Sequence, residues 1–376
     1  MNNRRKLFVD IAQSIGVTII SFVIAISALS GLESLLDFRS SIQGDTFEIS
    51  DVYNYVADNR AVRNLSDDVT IISIDGCDRQ DIATLIPAVD SLKPGAIGLD
   101  VLFFQDFDGD EELINSLNSA SNLVLPILLD NESRSTTGSY FYNQLADATF
   151  GIINLNVDSN NQPVRTFKPH IQFNDMKVNT FAAELVSIVD EGKYNELIKR
   201  ANEAETICYP STEFYTISYM DFLESPESFA QNIHNKVILL GDTNQGNDFH
   251  VTPISSGIPG VQIHAHIIDT IINSKYVRTS PSWLNWSIGF ILCFILIFIN
   301  FRIWNKIPLI CNIVTRIIQV ACLYCFFALG CKVYVGNYYC IDFSPILLMA
   351  GLDLFAYDLW VGLVAVFRLL FKKKVA

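Results

Sequence analysis

The chain has 376 residues, half of them hydrophobic, with a mean hydropathy of +0.30 and a formal net charge of −14. So apolar a chain, with 26 Phe to bury, excludes a disordered tail protein, and its acidity argues against a nucleic-acid binder, whose phosphate-reading surface needs net positive charge. Residues 32–282 hold 15 Lys/Arg and 36 Asp/Glu, whereas the two ends together hold 11 and 4, so an acidic body between basic, greasy ends predicts a membrane protein.

Arg4, Arg5 and Lys6 precede a first apolar run at residues 11–32. About 20 apolar residues cross the hydrocarbon core as a helix, and the cations assign residues 1–10 to the cytoplasm. Ala28-Leu29-Ser30 before Gly31 also passes as a small-residue cleavage site, so a removed signal peptide competes; the length of the run favours an uncleaved anchor.

Residues 33–282 read as one extracytoplasmic α/β domain with a mainly parallel, mixed central sheet. Strands are expected over Val69–Asp75, Ala96–Phe104, Asn122–Leu129 and Lys236–Gly241, and helices over Ile82–Leu92, Glu111–Ala120, Val178–Val189 and Val261–Ile272. Strands separated by single helices pair in parallel through right-handed crossovers, and near-continuous apolar strands imply a sheet covered on both faces. Between them, Gly138–Asp147 reads as a surface loop, and Phe150–Val157 with Val164–Phe173 reads as an antiparallel hairpin joined by Asp158–Pro163. Asn195–Glu205 is a further candidate helix.

Three more spans are expected at residues 283–300, 307–331 and 345–367, completing four transmembrane α-helices. Arg302 and Lys306 mark a cytoplasmic turn, Lys332–Phe343 an outer loop, and residues 368–376, with Arg368, Lys372, Lys373 and Lys374, a basic cytoplasmic tail. Cys331 and Cys340 fall near the outer face, where an oxidising compartment permits a bridge. Cys322 and Cys325 have redox spacing but sit in an apolar helix, where thiols act as packing groups.

Four blocks then arrive in order: Ile71-Ile72-Ser73-Ile74-Asp75; Gly95 to Phe103 (GAIGLDVLF); Gly151-Ile152-Ile153-Asn154 running on to Pro163-Val164-Arg165; and Val237 to Thr243 (VILLGDT), followed by Asp248 to Pro253 (DFHVTP) and Pro259 to His266 (PGVQIHAH). The series resembles the second class of CHASE domains, extracellular sensory modules associated with cyclases and histidine kinases, over about Leu36 to Ser274. The resemblance implies a sensory body followed by three spans. Two departures stand near where a ligand would sit: the Trp-Pro-x-x-Arg segment usual after the first strand is missing, and Ser40–Ser66 is long. Family receptors continue into an output domain, whereas this chain stops eight residues after Arg368, so the sensor is expected to lack its own.

Candidate ligand-binding residues are Asp75, Asp100, Arg165, Asp242, Asp248, His250 and Thr252. Asp75 and Asp100 each close a strand, and carboxyl strand ends face the crevice where ligands bind in open parallel sheets. They suit a cation or cationic ligand, with Asp242 and Asp248 assisting; helix capping is the plainer alternative. Arg165 suits an ion pair with one of these acids or an anionic ligand, and the Gly241–Asp248 loop offers backbone N–H groups as an anion nest. His250 beside Asp248 has acid–base potential, yet no nucleophile signature accompanies it, and His264 and His266, two apart on a helix, point to different sides. No metal and no cofactor are expected.

Within the spans, Arg316 and Asp358 lie at similar depth and are expected to pair, with Asp353 as substitute or as a group facing a partner. The expectation is a non-enzymatic, multi-pass sensor of the bacterial inner membrane, both termini cytoplasmic, passing the signal of an unknown periplasmic ligand to a separate effector. The alternatives are an assembly subunit of a membrane complex and an extracytoplasmic hydrolase using Asp248 and His250.

Overall fold

The computed structural model describes residues 3–43, 48–60, 63–130, 135–157, 162–173, 176–244, 248–304 and 308–372. Helices α1 (Asn3–Gln43) and α2 (Ile49–Arg60) lead to strand β1 (Asn64–Ser73), followed in alternation by α3 (Arg79–Ser91), β2 (Ala96–Leu99), α4 (Asp110–Ser119) and β3 (Leu123–Asp130). Short strands follow: β4 (Ser135–Thr137), β5 (Thr149–Ile152), β6 (Thr166–Phe167), β7 (His170–Phe173) and β8 (Met176–Asn179). Next come α5 (Phe181–Val189), α6 (Glu191–Lys199), β9 (Glu205–Thr206), β10 (Thr212–Ser218), α7 (Tyr219–Glu224), α8 (Ala230–Ile233) and β11 (Val237–Gly241). The order finishes with β12 (Phe249–His250), β13 (Ile258–Pro259), α9 (Gly260–Ile272), β14 (Arg278–Thr279), α10 (Ser282–Trp304), α11 (Pro308–Asn337), β15 (Tyr339–Cys340) and α12 (Ser344–Lys372). Two compact units result, residues 54–277 and residues 1–53 with 278–376.

The first unit is built on a seven-stranded mixed sheet in the order β10-β1-β11-β2-β3-β4, with β5 also beside β3. Every pair is parallel except β3–β4. All of β2 and β11 is buried, as is Val69–Ser73 of β1, which is why these segments read as unbroken apolar runs rather than alternating ones. Alternate side chains still serve opposite faces. Val69, Ile71, Val237 and Leu239 join a core with α5 and α9, whereas Ile72, Ile97, Ile238 and Leu240 join one with α3 and α4. Asp78 starts α3 through a capping box with Asp81, whose N–H it accepts at 2.8 Å.

Several expectations in this unit are corrected. Phe150–Val157 and Val164–Phe173 do not form a hairpin: β5 pairs in parallel with β3, β6 pairs with β9, and the hairpin is β7–β8; of its expected joint, residues 158–161 lie outside the described residues. Gly138–Asp147 is not merely a surface loop, because Phe141 within it is wholly buried beside Phe103. The second polar helix is Glu191–Lys199 rather than Asn195–Glu205, since Glu205 is in β9.

Among the described residues of the second unit, three helices are long and apolar enough to cross a membrane: Arg4–Ala28, Ser282–Ile303 and Ile313–Asn337. The expected fourth is broken. Ser344–Asp353 and Phe355–Phe367 meet at 42° and reach span length only when taken together. Val17, Ala25, Cys293, Ile297, Phe301, Met349 and Ala356 form the core between α1, α10 and α12. Tyr53 stacks on Phe327 and Tyr334 of α11 and donates its hydroxyl to the Ile341 carbonyl at 3.0 Å. Cys331 and Cys340 are both buried, and no disulfide joins them. Lys306, Lys373 and Lys374 lie outside the described residues.

Candidate functional site

Parallel pairing of β1, β11 and β2 brings their carboxyl ends to one edge, so Asp75, Asp242 and Asp100 follow three adjacent strands. Two of the three are committed to the fold. Asp75 accepts the N–H groups of Thr243 (2.7 Å) and Asn244 (3.2 Å), the Thr243 hydroxyl (2.8 Å) and the Asn244 amide (2.6 Å). Asp242 accepts the Asn244 N–H at 2.9 Å. The N–H groups of Thr243 and Asn244, after β11, thus converge on the chain's own carboxylate; residues 245–247 of the expected anion nest lie outside the described residues. Burial alone would raise the Asp75 pKa; hydrogen bonds with Asp242, Ser73 and Thr243 outweigh it and hold the carboxyl well below the usual range.

Asp100 is different. Its backbone N–H continues the ladder to the Leu240 carbonyl at 2.8 Å, but its carboxylate has no hydrogen-bond partner among the described residues. Burial, reinforced by Asp248 and opposed by His250, pushes its pKa up to about 7. Asp248 is 56 % exposed and holds His250 Nε2 at 3.0 Å. Asp248 also reaches over the first turn of α9, its carboxylate lying against Gly260, at a helix start where negative charge is favoured. His264, one turn further along α9, is buried edge-on against Phe181 with Nδ1 unpartnered.

Thr252 is buried in a turn rather than turned toward a ligand, since its hydroxyl and N–H both bond the Ser255 carbonyl. Arg165 is half-buried, and its segment runs beside this turn through the Val164 N–H bond to the Val251 carbonyl at 2.8 Å. No hydroxyl or thiol bonds His250 among the described residues. Burial, followed by Asp81, Asp78 and Asp75, pushes the Cys77 thiol up to about 12, and burial does the same to Cys208; neither is a thiolate nucleophile at neutral pH. Among the described residues, no group of three His, Cys, Asp or Glu side chains is placed to hold a metal.

The same unit carries a second concavity that the sequence did not disclose: a cleft of about 450 Å³ beside edge strand β10. Arg63 bridges Glu213 at 3.0 Å and Asp58 at 3.3 Å on its rim, with Phe214, Gln262 and buried His266 in its walls. The alternating pattern of Thr212–Ser218 is the signal that marks this edge strand.

In the membrane unit, Arg316 pairs with Asp353 at 3.7 Å and bonds Gln319. Asp358 is exposed instead, correcting the expected Arg316–Asp358 pair. Five residues turn a helix through about 140°, so equal depth did not put Asp358 on the facing side.

The α/β body is continuous in sequence with helices of spanning length. The family model for the CHASE2 domain matches residues 17–300, and the chain belongs to this family of extracellular sensory domains. No curated protein and no solved structure matches it.

Proposed function

We propose that the protein is a non-enzymatic, multi-pass sensor of a bacterial inner membrane, with its α/β body in the periplasm and both termini in the cytoplasm. The observation that carries this reading is Asp100: at the sheet edge where open α/β folds bind ligands, its carboxylate makes no hydrogen bond among the described residues and feels the charges of Asp248 and His250. With the bent α12 counted as one crossing, four crossings return the chain to its starting side, in keeping with the cations at both ends. A cationic or hydrogen-bond-donating signal at Asp100, Asp248 and His250 shifts the body between two states, by no more than its differential affinity for them. The helices pass that state to a separate effector.

Reporter fusions in the body and after residue 372 test the sidedness; activity of both reporters in one compartment overturns it. A second reading, an assembly subunit, draws on Phe104 and Phe107, which are 65 % and 66 % exposed on the loop after β2. Recovery of one stoichiometric protein partner whose capture is lost in Phe104→Ser, with Asp100→Asn unaffected, favours that second reading.

A further inference from the structure

The cleft beside β10 is independent of the sheet-edge acids and has the size of a small-molecule site, since such pockets run from about 300 to 1,000 Å³. Its charges are unequal. Arg63 meets two carboxylates, Asp58 and Glu213, leaving a surplus negative charge on the rim. An ammonium group is attracted there. Yet Arg63 uses only two of its five N–H donors on these acids, and the rest are free to hold a carboxylate in a bidentate fork.

The walls add two further conditions. Phe214 and Ile258 give apolar surface for an aliphatic or aromatic group. His266 is buried between Tyr209 and Phe214, at 5.0 and 4.8 Å between ring centroids, and its Nδ1 has no hydrogen-bond partner. Gln262, one turn before it on α9, supplies an amide to the same cleft.

We infer that this cleft binds a small zwitterion with an apolar side group, of the size and chemistry of a free α-amino acid. Its carboxylate lies on Arg63, its ammonium between Asp58 and Glu213, and its side group against Phe214. The inference holds whether or not the sheet edge takes the sensor's signal.

Isothermal titration of the full-length protein in lipid nanodiscs with L-leucine and L-phenylalanine tests it. At least one is expected to bind, whereas N-acetylation, methyl esterification or replacement by glycine each weakens binding about tenfold or more, because each leaves one partner unpaired. Arg63→Ala and Glu213→Gln are expected to lose binding while keeping the parent's melting temperature without ligand. Asp100→Asn is expected to bind as the parent does; loss of binding there moves the ligand to the sheet edge and overturns the assignment. It is equally overturned if neither amino acid binds at about 10 mM, well above the weak end of specific affinity, or if Arg63→Ala binds unchanged.

Discussion

Thr243 donates its backbone N–H at 2.7 Å and its hydroxyl at 2.8 Å to the two oxygens of Asp75, clasping the end of β1 to the end of β11. Truncating the acid leaves those donors and Asn244 without their partner. Asp75→Ala is therefore expected to cost about 2 kcal/mol at neutral pH. The folded pKa is lowered, so this stability is present above the ordinary carboxylate value of about 3.9 and is lost only as pH falls through the folded value. Denaturant titrations of both proteins at neutral and strongly acidic pH check this; a gap that closes already near about pH 6 contradicts the clasp.

Asp100 predicts the opposite sign. Its folded pKa, raised to about 7 by burial first and Asp248 second, lies above an unfolded value of about 3.9, so ionising it in the native state costs stability as pH rises between the two. Asp100→Asn is expected to stabilise the protein by about 2–4 kcal/mol above pH 7 and to change little below about pH 4. A destabilised Asn variant at alkaline pH would mean that the carboxylate has a fold-holding partner.

The strands and helices of the αβα core were legible because buried parallel strands are continuous apolar runs set off from the helices by turn residues such as Lys93-Pro94-Gly95 between α3 and β2, where Lys93 takes φ +57°. The edge was not. β10 carries the alternation of a half-buried strand but no apolar run, with Ile217 alone in it buried, and its partner β1 is distant in sequence, so the cleft beside it has no local signature. The acids after β1, β2 and β11 were correctly drawn to one edge by parallel pairing. Which of them stays open depended on Thr243 and Asn244, a tertiary contact that no local pattern encodes.

Two imidazoles make the body acid-sensitive. Burial lowers the pKa of His264 to about 4, with Asp248 opposing, and that of His266 to about 3, with Lys275 assisting. Unfolded imidazole titrates near 6.5, so below that pH the unfolded chain binds more protons than the native one and stability falls. Two such groups give a slope of up to about 2.7 kcal/mol per pH unit. In Asp100→Asn, which removes the opposing titration of that acid, urea midpoints should drop between about pH 7 and 5, and the drop should be roughly halved when His266→Leu is added. An unchanged midpoint in Asp100→Asn would show that these rings are solvated.

Arg316 meets Asp353 at the bend of α12, where Gln319 also donates to the Ala350 carbonyl. Side chains that engage the backbone ladder are a known cause of kinks, and Gly351 adds freedom at the same turn. A polar cluster of this kind between spans contributes about 1 kcal/mol per contact, less than its isolation in hydrocarbon would imply, because the separated helices also find partners. Arg316→Leu and Asp353→Leu are each expected to destabilise the full-length protein in bicelles by about 1–2 kcal/mol, with a coupling of about 1 kcal/mol in the double variant. Asp358→Leu, on the exposed face, should stay within about 0.5 kcal/mol. Steric-trapping measurements of these variants, the parent and the Arg316→Leu/Asp358→Leu double variant discriminate the two pairings: coupling of Arg316 to Asp358 rather than Asp353 would require α12 to be rotated by more than a third of a turn.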